Sequence, residues 1–481
     1  MIAQAVIART KPAVDGSLGR GISVQSGAQL ALKRVAITDN YDRGIFADGG
    51  GTAVSATELL ITRTQPLADG GLGRGIGIKS GASLTLDRVA IIGNHDFGLY
   101  VLGTDTSVTA TEALIAHTKP APIQPGGWGV GIAAGAQLTL DRTAITDNQL
   151  AGLYALSADT MVTATEVLIA RTKPYADVTG GSGVGVVNGA NLTLGRAAIT
   201  DNHGIGLFVD QAGTMVTATE VLITRTQPVL DLAGGGGVGV QTGAHLTLDR
   251  AAITENQFLG LYASSDATVT ATEVLVSRTQ PRADGTGGRG IEVQETAQLT
   301  LGRVAVTDNH EIGLIAGGAG TTVTATEVLI ARTQPKADGA FGRGIILQDG
   351  AALTLERGLL MDNHEVGLSA SYDATVTATE VLIARTQPQA DGTKGRGIGV
   401  QDGAQLTLLR ASLMDNHELG LLAMSDATVT ATDVAIAGTQ PLPDGTRGGG
   451  IGVQGGATLT LLRVSLMDNH EVGLSAMSDA T

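Results

Sequence analysis

The chain contains no cysteine, which removes disulfides, thiolate metal sites and a cysteine nucleophile. Aromatic residues supply only 2% and charged residues 16%. The apolar 43% is therefore aliphatic, and it is too large for a disordered chain. No unbroken apolar run nears the roughly 18 residues that suggest a membrane span. Basic charge is also short. Thirty-one Lys and Arg against 46 Asp and Glu leave a net charge of −15, which opposes nucleic acid or an anionic membrane as the main partner. No stretch of useful length shows a helical 3.6-residue period.

What is abundant is repetition. A length of 481 residues suggests about three domains, but the chain is one unit repeated. The Thr-Asp-Asn tripeptide and its variants end at Asn40, Asn94, Asn148, Asn202, Asn256, Asn309, Asn363, Asn416 and Asn469, in steps of 53 or 54 residues. Each unit is a long half followed by a similar short half. Within each half, apolar residues alternate with polar ones, as in Val-Thr-Ala-Thr-Glu-Val-Leu-Ile, and a period of two means strands. Three short strands per half, repeated about 18 times, predict stacked coils that share one narrow aliphatic core, since one coil cannot bury its own apolar face.

The proposed register brings opposite charges together. One series runs Glu58, Arg88, Glu112, Arg142, Glu166, Arg196, Glu220, Arg250 and onward, alternating in sign at every coil. A second begins Asp39, Arg63, Gly93, His117, Asp147, Arg171. Opposite charges on neighbouring strands help and like charges hurt, so these ladders read as register devices. Beside the second series, Asn alternates with Thr, which reads as an internal polar ladder at a tight turn.

All 12 prolines fall in the connection after that Thr, as in TQPLADGGLGRG (64–75). Nine such loops should form a ridge, and loops on a rigid scaffold are where function usually sits. The loops lead into Gly-Arg-Gly-Ile, with Arg20, Arg74, Arg289, Arg343 and Arg396. In the middle units this alignment puts Val130, Val184 and Val238 at the Arg position, and the block 119–240 also holds the sole tryptophan, Trp128. Trp128, Arg289, Arg343 and Arg396 are the candidate loop-surface residues.

The three-strand coil, the Gly-aliphatic-x-Val strand and the turn Asn (Asn94, Asn148, Asn202) resemble the right-handed parallel β-helix repeat proteins of the pectin-lyase-like superfamily. The likeness is closest to bacterial secreted or surface members. It implies an all-β fold, a single-stranded right-handed parallel β-helix of about 18 coils with a 53–54-residue double-coil repeat. It also implies a secreted or cell-surface setting. Catalytic members cleave acidic polysaccharides with clustered carboxylates, and such a cluster should break the repeat. Here carboxylates recur in the same slot beside Arg, which holds them ionised and suits structure better than acid catalysis.

No cofactor is expected. His95, His203, His310, His364, His417 and His470 share one slot, and sites one unit apart are two coils apart, roughly 10 Å, too far to share one metal ion. Thr-Ala-Thr rows suggest an ice-binding face, but every other coil replaces the second Thr, for example by Asp87 or Asp141. The chain opens inside a strand pattern and stops one residue short of its recurrence, so residues 1–481 read as a single β-helix of nine repeats from a longer protein. End-to-end stacking into a fibre is the runner-up. The expected function is a structural or adhesive surface module that presents loops to a multivalent partner, such as a polysaccharide or another surface protein. A carbohydrate-active β-helix is the alternative.

Overall fold

The computed structural model describes residues 1–123, 126–175, 180–229 and 234–481; residues 124–125, 176–179 and 230–233 of the 119–240 block lie outside the described residues. Among the described residues none is helical. The chain forms two compact units, Met1–Gly239 with Gly243–Thr247 and Val240–Thr242 with Leu248–Thr481.

In the first unit, Arg74–Lys79 is a glycine-rich strand, and Ser83–Ile92 supplies the other two sides of the same coil. The latter bends at Arg88, whose φ of 50° is left-handed. The next coil repeats this with Phe97–Leu102 and Ser107–Ala116, bending at Glu112 with φ 53°. Every side pairs in parallel: Ile76 with Leu99, Leu84 with Val108, and Ile91 with Ile115. The second unit is built alike. Arg343–Gln348, Ala352–Glu356 and Leu359–Met361 form one coil, whose Ile345, Leu353 and Leu360 pair with Leu368, Val376 and Ile383.

The period of two sends alternate aliphatic side chains inward. Ile45, Ile76, Leu99, Val130, Leu153, Val184 and Leu207 form one buried file through the first unit. A slip of one residue would turn such a file out to water, so the pattern fixes the register. The corner leading into this strand is filled completely. A Cβ on Gly98 would stand 2.6 Å from Ile115 Cγ2 and 2.7 Å from the Gly129 carbonyl oxygen, which leaves room only for glycine.

Candidate functional site

The asparagines sit inside, at the turn that precedes the glycine-rich strand. Asn94, Asn148 and Asn202 are fully buried. In each, Oδ1 accepts from a backbone N–H of the preceding coil: Thr64 at 3.0 Å, Thr118 at 3.1 Å and Thr172 at 2.9 Å. Nδ2 of Asn148 and Asn202 donates to the carbonyls of Ile115 (3.2 Å) and Ile169 (3.1 Å). Asn40 bonds in the same way to Thr10 and Ile7. In the second unit Asn309, Asn363, Asn416 and Asn469 repeat both bonds, and Asn256 is equally buried. Each amide thus ties a coil to the one before it through backbone groups. The neighbouring histidines do likewise: Nδ1 of His95, His203, His310 and His417 lies 3.0–3.1 Å from a Thr carbonyl of the preceding coil.

Both charge series occupy left-handed corners, with φ between 45° and 58° for their non-glycine members from Glu58 to Arg250. Non-glycine residues avoid this region, and the strands on either side over-determine it here. The ion pairs span adjacent coils: Arg88 to Glu58 at 3.7 Å, Arg142 to Glu112 at 3.5 Å, Arg196 to Glu166 at 3.0 Å, and Arg303 to Glu273 at 2.8 Å. Glu220 and Arg250 take the same corners one repeat on. In the second series Arg63 grips Asp39 and Arg171 grips Asp147. The hydrogen bonds from Arg63 and Thr38 lower the Asp39 pKa to about 2.

Arg289, Arg343 and Arg396 lie beneath the loop ridge, with only 24–27% of their side chains exposed. Each meets a carboxylate buried two residues after the turn Asn: Arg289 with Glu311 at 3.1 Å, Arg343 with Glu365 at 2.6 Å, and Arg396 with Glu418 at 2.7 Å. Arg20–Asp42 and Arg74–Asp96 are the equivalents in the first unit. A second cation descends from the following loop: Lys336 onto Glu311, Lys394 onto Glu365, Arg447 onto Glu418. Burial pushes the Glu365 carboxyl up, but Arg343 and Lys394 outweigh it and hold it below its ordinary value. These acids are absent from the charge ladders read in the sequence. Their signal was the acid two positions after six of the nine turn Asn residues.

The register corrects one alignment. Val130 pairs with Leu99 and so belongs to the buried file with Ile76; the residue in the Arg74 slot is Trp128, beside Phe97. Val184 likewise pairs inward with Leu153, leaving Ser182 in the Arg slot. By the same spacing Gly236, not Val238, stands there. Alternation decides this, because a valine two residues further along the strand faces the core. In these three units the acid is lost with the Arg, replaced by Leu150, Gly204 and Phe258; in the last repeat Gly449 takes the Arg slot and Glu471 stays.

Trp128 opens an outward face that the sequence reading passed over. Phe46, Gly77, Tyr100, Gly131, Tyr154, Gly185 and Phe208 follow one another on adjacent coils. The Phe97 ring lies over Gly131 and the Tyr154 ring over Gly185, where a Cβ would meet Tyr154 Cδ2 at 2.6 Å, while the Arg43 side chain covers Gly77. Trp128 stacks on Phe97 with centroids 4.6 Å apart at 13°, and Arg74 lies 4.2 Å from the Tyr100 ring centre. The clue was a period of 54 residues in the aromatics themselves.

On the ridge, six loops share one build. Asp15, Asp69, Asp284, Asp338, Asp391 and Asp444 each accept, at 2.9 Å, the N–H two residues on. A backbone pair closes each loop, as Leu67 N to Gly71 O at 2.9 Å and Gln389 N to Thr393 O at 2.9 Å. Neighbouring loops touch: a Cβ on Gly339 would strike Ala390, and one on Gly392 would lie 3.7 Å from Pro443 Cγ. Between the last two is a groove of about 600 Å³ lined by Asp391, Lys394, Arg396, Glu418, Asp444 and Arg447. Among the described residues no three His, Asp or Glu gather as metal ligands. On the remaining face, Thr85, Thr109, Thr139, Thr163, Thr193 and Thr217 make an unbroken file.

Residues 206–383 match a family model described as a right handed beta helix region. The chain is a right-handed parallel β-helix. The β-helix is similar to pectate lyase Pel9A at 15% identity, covering 56% of this chain and 70% of that one, with a TM-score of 0.37. It is similar to a chain of the Vag8–C1 inhibitor complex at 11% identity over 100% of both chains, TM-score 0.44. It is also similar to the periplasmic alginate epimerase AlgG at 11% identity, covering 90% and 77%, TM-score 0.31. A search of curated proteins finds no match.

Proposed function

We propose that this β-helix is a non-catalytic display module of the cell surface or exterior, whose stacked loops bind a partner with repeated epitopes. The observation that carries this reading is the loop itself. The same five-residue turn is fixed by the same aspartate and backbone bonds in six repeats. In five of the six an Arg paired with a buried carboxylate ties down the loop's exit. Such loops are pre-organised, so little ordering cost falls on binding. Copies two coils apart, roughly 10 Å, convert later contacts into intramolecular ones.

The test uses arrayed polysaccharides and cell-surface preparations with the whole chain. Asp284, Asp338, Asp391 and Asp444 are changed to Ala one to four at a time. Retention should fall multiplicatively with the number of altered loops. Undiminished binding by the fourfold variant would sink the reading.

The aromatic file favours a second reading, in which an extended polysaccharide lies along the glycine-rich strands. Sugar rings stack on part-exposed aromatic faces, and Tyr100, Tyr154 and Phe208 recur at a two-coil step, whereas Phe46 is buried. Trp128 is the sole tryptophan, so its fluorescence should shift when oligosaccharides are added. Tyr154→Ala should then weaken binding, while the loop variants leave it unchanged.

A further inference from the structure

The third side of each coil in the first unit carries an exposed aliphatic stripe. Its outward file runs Val6, Ala36, Leu60, Ala90, Leu114, Ala144, Leu168, Ala198, Leu222, one residue per coil and alternately large and small. The leucines are 36–40% exposed. The two charge series edge the stripe. Every leucine rung reads acid, Leu, base: Glu58–Leu60–Arg63, Glu112–Leu114–His117, Glu166–Leu168–Arg171, Glu220–Leu222–Arg225. Every alanine rung from Ala36 on reads the reverse, base, Ala, acid, as in Arg142–Ala144–Asp147; only Gly93, beside Ala90, lacks the charge. In the second unit Ala252, Leu275, Ala305 and Leu329 keep the alternation, which then fails at Leu359 in a small slot and at Ala435 in a large one.

We infer that this stripe is the interface for a second copy of the chain, packed side by side and antiparallel. A two-fold axis across the stripe between the Leu114 and Ala144 rungs sets each leucine rung opposite an alanine rung. Leu114 then fills the gap over Ala144 of the other copy, and Leu60 the gap over Ala198. The same operation faces Glu112 with Arg142, Asp147 with His117, and Glu58 with Arg196. Shape and charge are therefore satisfied by one symmetry, as an isologous contact requires. Eight rungs at about 4.8 Å and a width of six residues at about 3.3 Å each cover about 750 Å² per copy. A standard stable interface covers about 800 Å² per partner.

The test is the mass of the whole chain by sedimentation and light scattering across the micromolar range. A dimer is expected. Leu114→Lys with Leu168→Lys, both exposed positions whose folding is checked by circular dichroism, should weaken it at least about tenfold. Glu112→Arg and Arg142→Glu should each weaken self-association, and an equimolar mixture of the two should restore a mixed dimer, since every facing pair is then opposite in sign. A monomer throughout would overturn the inference. So would association, dimeric or open-ended, that is indifferent to the lysine variants, or a mixture that fails to re-associate. None of these outcomes depends on loop binding, so the display reading stands or falls separately.

Discussion

Asn202 shows what one buried amide does in a stack. It closes a backbone N–H and a carbonyl of the preceding coil, at 2.9 and 3.1 Å, where water does not reach. Asn202→Ala leaves both groups without partners, and each unsatisfied group costs about 1–3 kcal/mol. The expected loss is about 2–4 kcal/mol, read from urea unfolding followed by circular dichroism. Arg196→Ala removes an ion pair whose side chains are 59% and 43% exposed, and its cost should stay below about 1 kcal/mol. Equal losses in the two variants would contradict this ranking. The position of Asn202 was visible in the repeat, because one residue type recurring at one step needs a fixed place. Its bonding was not. An amide at a turn can bond along its own file or to backbone, and only the geometry of the Thr172 and Ile169 groups decides between them.

At the scale of one coil, the question is how an Arg and an acid come to share a buried slot. Arg74 and Asp96 are 17% and 6% exposed, and one without the other leaves a charge out of water and unpaired. Removing one member of such a pair costs about 3–5 kcal/mol, whereas replacing both by packed apolar groups is often neutral. The chain contains that second solution at Trp128 and Leu150. Asp96→Leu alone should therefore destabilise by about 3 kcal/mol, and Arg74→Trp added to it should recover most of the loss. A double variant as unstable as the single one, by thermal unfolding, would refute the coupling. The strands around this slot were legible from the period of two, which water imposes on any half-buried sheet. The slot itself was not, because Val130 and Arg74 both follow a glycine in the sequence. Only the inward pairing of Val130 with Leu99 separates them. The aromatic file was equally hidden, since Tyr154 and Phe208 lie 54 residues apart and line up, on either side of Gly185, only through the stack.

Across the whole molecule, the same Asp–Arg hydrogen bond recurs and sets the response to acid. Hydrogen bonds from the arginine of the next coil are the main cause that lowers the pKa of Asp39, Asp147, Asp201, Asp308 and Asp362. A carboxyl held lower when folded contributes stability that is fully present above its unfolded value, about 3.9. That contribution is lost as pH falls through the folded value, which is about 2 for Asp39. Each pair is exposed and individually small, but all act in the same window. The urea midpoint should stay level from neutral pH down to about 5 and decline below about 4. Added salt should shrink that decline, because exposed pairs are screened. A fall already complete by pH 5 would assign acid sensitivity to groups other than these aspartates. Because stability in stacked repeats is a sum over neighbours, the decline should be gradual and carried by several pairs. Asp201→Asn, which removes one of them, should then lower the midpoint at neutral pH slightly and leave the shape of the acid decline intact.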